Sequence, residues 1–438
     1  MADNASGFKR KRSLLILPFR SVFLRQAQDP ERRRGATLNK PTLEERCAPN
    51  GLISESKIYK LLFVFCLLWF IFLCFFHYCS GRPLWLDENF LLQNIKSLQY
   101  KEIFGPLKNA QAFPRLYLVS IKFFAERFHY HVLALRFFPL VAMLFAFFIW
   151  AKIYKKGFLC KWSYLLSLFS FATSYSLSYY AAEFKHYSMD LLVVALFTLY
   201  LIYQKEYFDK KPSRAFIVGT LILPFSLFLS YSSFFVFWIV SYNFLFTRDK
   251  NIKFWFILVS YTFLSALAIA FVFYFDIKYT LSNAALFSYW NDYFLCTDSF
   301  YCFMKSFGEG LSRLSVWWFG NSVLFRRIAS FFIPFFIFCL FGYGIKSIRN
   351  KAFRLTEIDS LGFVIFCELF FVGILKKYPF TGERITLFFA PFVFYFIVKS
   401  INFFKFNKLL YIFTNSLYVI FLILCGFNSF RVYFKHYG

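Results

Sequence analysis

The sequence predicts an all-α, polytopic integral membrane protein, and three observations carry the prediction. First, 59% of the 438 residues are apolar, 25% are aromatic, 72 are Phe and only 17% are charged, whereas soluble chains run at about 45 to 50% apolar and about 25% charged. Second, the apolar residues come in runs such as 58–76, which reach the roughly 18 uncharged residues that mark a membrane-spanning helix. Third, the 50 Lys and Arg that outnumber 23 Asp and Glu, for a net charge of +27, are dealt out between those runs. A nucleic-acid partner would need them gathered on one soluble face, so that class is set aside. Length alone suggests about three soluble domains, a prior that the apolar runs overturn. Abundant Phe beside Lys, Ile, Tyr and Asn reads mainly as the output of an AT-rich genome.

Residues 1–56 differ in kind from the rest. Lys9-Arg10-Lys11-Arg12 and Arg32-Arg33-Arg34 lie among Asp, Gln, Asn, Pro and Ser, which predicts a basic, unstructured cytoplasmic arm. The run 14–23 is broken by Pro18 and Arg20 and no small-residue cleavage site follows, which argues against a signal peptide. Eleven spans then make up one domain, 57–438: 58–79, 132–151, 162–180, 188–203, 215–230, 232–247, 254–275, 328–345, 360–375, 385–399 and 409–426. Short cytoplasmic loops are enriched in Lys and Arg. With the N-terminus inside, the inner connections 152–161, 204–214, 248–253, 346–354 and 399–408 are all basic, and the outer turns near 181–187 and 230–233 hold one cation between them. The outer turn 376–384 breaks the rule with Lys376, Lys377 and Arg384.

Two outer loops, 80–131 and 276–327, are long, and long connections in a compact protein are usually functional. In the first, Phe90, Leu91, Ile95 and Leu98 recur at helical spacing, and Pro114 opens a second stretch, 116–128, interrupted by Lys122, Glu126 and Arg127. Both are too short or too charged to span. They predict amphipathic juxtamembrane helices at the outer membrane surface, suited to holding a lipid-borne substrate at the water interface. No internal repeat is present, so an inverted-repeat transporter gains no support.

Three polar constellations can carry chemistry. WLDE at 85–88 places Asp87 and Glu88 beside Trp85 just beyond the first span; a neighbouring carboxylate and partial desolvation can tune such a pair as a base. The plainer reading makes Asp87 the cap of the following helix. AAEFKHYSMD at 181–190 packs Glu183, Lys185, His186, Tyr187 and Asp190 into one turn, where charges next to hydrocarbon need partners or ligands; Glu183 neutralising Lys185 is the alternative. KKYPFTGER at 376–384 offers Lys376, Lys377 and Arg384 for a phosphate, Arg by a forked pair of hydrogen bonds and Lys as a point charge. Anionic headgroups are the alternative partner there, and the violation of the inside bias favours a ligand.

Weaker signals complete the reading. Glu368 inside the ninth span needs a partner or a proton. Trp290, Asn291, Asp292, Trp317 and Trp318 enrich the second long loop in groups that stack on sugars, although interfacial Trp is ordinary. The ten Cys lie mostly in apolar runs as small hydrophobes, but Cys296 and Cys302 share a polar loop and can form a disulfide on an oxidising side. His129 and His131 lack a third ligand and no spacing suits zinc, so no metal is expected. Walker, GxSxG and dinucleotide motifs are absent.

Taken in order, WLDE at 85–88, AFPRLYL at 112–118, ALRFFPL at 134–140, EFKHYSMD at 183–190 and YPFTGERITLF at 378–388 resemble bacterial membrane glycosyltransferases of the GT-C superfamily, nearest the protein O-mannosyltransferase-like and aminoarabinose transferase-like members. The resemblance covers about 57–400. It implies an enzyme of the cytoplasmic membrane that moves a sugar from a polyprenyl-phosphate carrier to a lipid, glycan or protein acceptor of the envelope, on the outer face. No cofactor is implied, the lipid-linked sugar being a co-substrate. Asp87 would activate the acceptor with Glu88 beside it; Glu183, Lys185, His186 and Tyr187 would shape the site; Arg384, with Lys376 or Lys377, would hold the lipid phosphate. The family's double Pro is here Phe113-Pro114 followed by Arg115, a departure from the pattern on the acceptor side; Arg115 is counted among the substrate-binding candidates. The competing class is a transporter or lipid flippase using Glu368, Asp190 and the outer cations.

Overall fold

The computed structural model describes residues 55–109, 111–158, 160–210, 212–237, 252–281, 283–319, 356–382, 384–404 and 407–437. Residues 1–54 of the expected arm 1–56, most of the expected span 232–247, the connection 248–251, the expected span 328–345 and the connection 346–354 lie outside them. All regular secondary structure among the described residues is helical. Among the described residues, five helices are long and apolar enough to cross a membrane: Lys57–Cys79, Val132–Gly157, Tyr187–Gln204, Phe254–Thr280 and Lys408–Phe430. They match the expected spans at 58–79, 132–151, 188–203, 254–275 and 409–426.

The other described spans are shorter or interrupted, for identifiable reasons. The run 162–180 breaks at Ser174, whose extended backbone separates Lys161–Thr173 from Tyr175–Tyr180. The run 215–230 passes through a π-helical turn, Val218–Ile222, and Pro224 into a 3-10 turn, Ser226–Phe228. Helix Glu357–Ile374 carries Glu357, Asp359 and Glu368 in 18 residues, and Leu387–Asn402 is apolar but short.

The helices used below are Glu55–Cys79 (α1), Leu86–Ser97 (α2), Arg115–Arg127 (α3), Val132–Gly157 (α4), Tyr187–Lys210 (α5), Ala284–Trp290 (α6), Phe300–Phe319 (α7), Glu357–Ile374 (α8) and Ala390–Phe403 (α9). Aromatic interlocking builds the main core: Phe70 stacks on Phe147 at 4.8 Å, Phe171 meets Phe70 edge-on at 5.3 Å, and Trp150 meets Phe392 edge-on at 4.8 Å. Such pairs add about 0.5–1.5 kcal/mol beyond area burial.

The first long loop folds as the two predicted amphipathic helices, α2 and α3, but their apolar faces have a protein partner. Leu91, Ile95, Phe113, Tyr117, Leu118, Ile121 and Ala125 close a second core with Leu135 of α4 and Phe184 of the 181–186 turn. Asn94 pins this unit by accepting from the Lys108 backbone N–H at 2.8 Å and donating to its carbonyl at 3.2 Å. The apolar faces that interfacial helices would lay on lipid are thus taken up within the protein. What they leave exposed is a separate stripe that includes Leu116, Phe123 and Phe128.

Contacts sort the connections into two ends. At one, Lys399 pairs with Asp359, whose carboxylate closes a capping box with Thr356, and Tyr395 donates to the Gly157 carbonyl at 3.4 Å. A Cβ on Gly157 would sit 2.7 Å from Tyr395 and Ile358, so only Gly permits that approach. At the other end meet the α1–α2 connection, the 181–186 turn, α6 and the turn at 382–386.

Candidate functional site

The second end is built around one buried carboxylate. Gly81, with φ +67 in the left-handed region, turns the chain after α1. Trp85 then caps α2. Glu88, three residues on, accepts from the Trp85 N–H at 3.2 Å and from the Phe184 N–H at 2.6 Å. Arg136 of α4 donates to the same carboxylate through Nε at 3.3 Å and Nη2 at 3.0 Å, and to the carbonyls of Arg82 at 2.9 Å and Pro83 at 3.3 Å. Both side chains are fully buried. Glu88 thereby ties α2, α4 and the 181–186 turn together. Glu88, expected beside Asp87 as a second catalytic group, is here the capping carboxylate, the place the plainer reading gave to Asp87.

Asp87, spared from capping, turns the other way. Its Oδ2 lies 2.9 Å from Arg384 Nη2, with Asp87 24% and Arg384 11% exposed. Arg384 sits 4.6 Å above the Trp85 ring and 5.9 Å from the Trp290 ring, and donates to the Tyr289 hydroxyl at 3.2 Å. The turn that presents it is tight: Ile385 N–H donates to the Gly382 carbonyl at 2.6 Å, and Tyr378 locks the Ile385 carbonyl at 2.8 Å. A Cβ on Gly382 would fall 2.5 Å from the Ile385 side chain, which would have to shift to admit it.

The 181–186 turn supplies the floor. Arg82 donates to the Ala182 carbonyl at 2.5 Å and stacks 4.0 Å over Tyr179. Glu183 is buried and its Oε1 has no hydrogen-bond partner among the described residues. Burial, then the nearby Glu88 charge, pushes its carboxyl up to about 7. Lys185 is buried with its Nζ 2.6 Å from Gln111 Oε1. Burial pulls its ammonium down to about 8, while Asp87 and Glu183 oppose that shift. The turn is therefore more than a neutralised pair, because the two charges answer to Asp87, Glu88 and Arg384 as well as to each other.

His186 is held neutral, since burial and the adjacent Lys185 bring it down to about 3. Its Nε2 lies 3.5 Å from Asp190, whose other oxygen accepts from Ser230 at 2.6 Å, and its ring packs edge-on to Phe113 at 4.9 Å. Tyr187 packs edge-on to Tyr180 at 5.4 Å. These two residues support the turn from behind.

Other expected site residues lie elsewhere. Arg115 pairs with Asp276 at 2.5 Å, both buried, fastening α3 to the end of the Phe254–Thr280 helix; its guanidinium is committed there rather than to the Asp87 site. Lys376, in the left-handed region at φ 52, and Lys377 close the C-terminus of α8 through N–H donations to Gly373 and Val372. Among the described residues, neither ammonium pairs with a carboxylate. Trp318 is buried against Phe389 and is removed from the sugar-stacking candidates, whereas Trp290 faces Arg384; the Trp317 side chain lies outside the described residues. Asp292 offers its carbonyl to Arg313 at 2.8 Å. Cys296 and Cys302 are disulfide-bonded with Cα atoms 5.6 Å apart. They bound the one group of three metal-ligating side chains among the described residues, Cys296, Asp298 and Cys302, and the bond removes both thiolates.

Sequence reasoning missed Arg82, Arg136, Gln111 and Tyr289. Arg82 and Arg136 carried a usable signal, since each is a cation close to the edge of an expected span, where a charge needs a partner. Gln111 and Tyr289 carried none. No protein-family model, curated protein or solved structure matches the chain.

Proposed function

We propose that the chain is an integral membrane glycosyltransferase that moves a sugar from a polyprenyl-phosphate carrier to an envelope lipid, glycan or protein. One observation carries the reading. A partly exposed carboxylate, Asp87, lies against the forked cation Arg384, with Lys185 and Glu183 buried in the adjoining turn, at the end of the helix bundle where both long connections converge. A base and phosphate-binding cations within one cluster are what displacement at an anomeric carbon requires. The order of motifs that resembles GT-C enzymes supports the same assignment.

In the reaction, the acceptor hydroxyl attacks the anomeric carbon and its proton passes to Asp87. The bond from that carbon to the phosphate oxygen breaks, and polyprenyl phosphate departs with the electron pair and one additional negative charge. Arg384 and Lys185 offset that charge, Lys185 replacing Lys376 and Lys377 as the second cation. Trp85 and Trp290 hold the guanidinium from its faces. A single displacement inverts the configuration. The reading places eleven spans in a bacterial cytoplasmic membrane, N-terminus inside and site outside. It is supported by the basic connections near Gly157 and Lys399, which share the opposite end of the bundle.

The test is transfer of radiolabelled sugar from a polyprenyl-phosphate donor by purified protein in detergent. Product that forms without a sealed compartment and disappears in Asp87→Asn supports the reading; near-normal product in that variant sinks it. The competing transporter reading draws on Glu368 of α8, whose Oε2 is buried without a hydrogen-bond partner among the described residues. It predicts flux into sealed vesicles, no transfer in detergent, and loss of flux in Glu368→Gln.

A further inference from the structure

The Asp87–Arg384 pair poses a chemical problem for the site it belongs to. A base needs a free lone pair, and a phosphate-binding guanidinium needs a free edge, yet Asp87 Oδ2 and Arg384 Nη2 engage each other at 2.9 Å. The two partners are not held equally. Arg384 is fixed by groups other than Asp87: the Gly382 turn, the Tyr378 hydrogen bond beneath it, the Trp85 and Trp290 rings and the Tyr289 hydroxyl. Asp87 stands on the first turn of α2, is the more exposed of the two, and has Arg384 as its one ion-pair partner among the described residues. The neighbouring backbone N–H groups of Trp85 and Phe184 are both committed to Glu88.

From this asymmetry, and resting on the glycosyl-transfer reading, we infer that the donor phosphate and Asp87 compete for Arg384, so that the lipid-linked donor binds first and its arrival releases the carboxylate to receive the acceptor. A phosphodiester matches the fork of the guanidinium as a carboxylate does. Two anions on one cation repel, and the less constrained anion gives way. The acceptor therefore meets an active base only when the donor is in place, which suppresses idle activation of water or acceptor in the empty site. The order of addition is compulsory, donor before acceptor.

The experiment measures binding of polyprenyl phosphate to the full-length protein in detergent, followed by Trp fluorescence, for wild type, Asp87→Asn, Arg384→Gln and the double variant. Removing the competing charge should tighten binding in Asp87→Asn by about tenfold, within the usual range for coupled sites. The gain should vanish when Arg384 is also replaced, and Asp87→Ser should reproduce it. Unchanged or weaker binding in both Asp87 variants, with Arg384→Gln still impaired, overturns the competition and leaves the phosphate assignment standing. Equal binding by wild type and Arg384→Gln removes the phosphate assignment itself, and the competition with it. Melting curves of each variant establish that all five compared proteins are folded.

Discussion

The two ends of the helix bundle solve the burial of charge in opposite ways. At the Lys399 end, one acid meets one base: Asp359 is capped by Thr356, paired with Lys399, and buried. At the Asp87 end, three carboxylates (Asp87, Glu88, Glu183) and four cations (Arg82, Arg136, Lys185, Arg384) share one neighbourhood. There a buried Glu183 oxygen has no hydrogen-bond partner among the described residues, and Asp87 stays partly open. A lock saturates its groups. A site for a charged ligand leaves binding capacity unused, and at this end Glu88 and Arg136 supply rigidity next door. The same contrast recurs within two adjacent residues, Glu88 closed into the protein and Asp87 turned out of it.

The largest effect that separates the ends is on rate. Asp87→Asn should lower sugar transfer by about 10² to 10⁴-fold, the usual worth of a positioned base, while the melting temperature stays near that of wild type. Glu88→Leu should do the reverse first, destabilising the protein by about 3–5 kcal/mol because Arg136 is left buried and uncompensated. Glu88→Leu combined with Arg136→Leu should recover much of that loss in thermal denaturation, an outcome no catalytic role for Glu88 would produce. At the far end, Asp359→Asn should cost about 1–3 kcal/mol through the lost charged hydrogen bonds and leave transfer per folded molecule unchanged. A rate defect there would break the division between lock and site.

The pH dependence sharpens the comparison further. Burial lowers Lys185 from 10.5 to about 8, so its charge is present below that value and is lost as pH rises through it. Affinity for polyprenyl phosphate should therefore decline above about pH 8, by no more than about tenfold per unit for one linked proton. Lys185→Arg should flatten that limb. The stability contribution runs oppositely: with the folded value depressed, it is present above the ordinary Lys range and lost as pH falls through about 8. For Glu183, raised to about 7, the contribution is present below the ordinary carboxyl range and lost as pH rises through about 7.

The sequence made the long apolar helices legible, because hydropathy over about 20 residues is a local property. Helices α2 and α3 were legible for a similar reason, their spacing and Pro114. What covers their apolar faces was not, since Leu135 and Phe184 come from segments that hydropathy assigns elsewhere. Asp87 and Arg384 were both visible as exceptions to local trends, but their meeting, across nearly 300 positions, was not. The division of labour between Asp87 and Glu88 was hidden most thoroughly. Two adjacent acids look alike in a string, and which one caps the helix is decided by a backbone turn at Gly81 and by an Arg on another helix.

The smallest predicted effect concerns Lys376 and Lys377, cations against the charge rule yet tied to no described carboxylate. Lys376 adopts φ 52 to end α8, and the N–H groups of both residues close the last turn. The backbone does this work, and cations at a helix C-terminus are also favoured by its dipole. Lys376→Asn, a residue that tolerates the left-handed region, and Lys377→Ala should therefore each alter transfer by less than about twofold, in keeping with exposed charges worth about 0–1 kcal/mol. Arg384→Lys, by contrast, loses the fork that grips a phosphate and should lower transfer far more. A Lys377→Ala loss approaching that of Arg384→Lys would move the phosphate site from the Trp85–Arg384 opening toward the exposed end of α8.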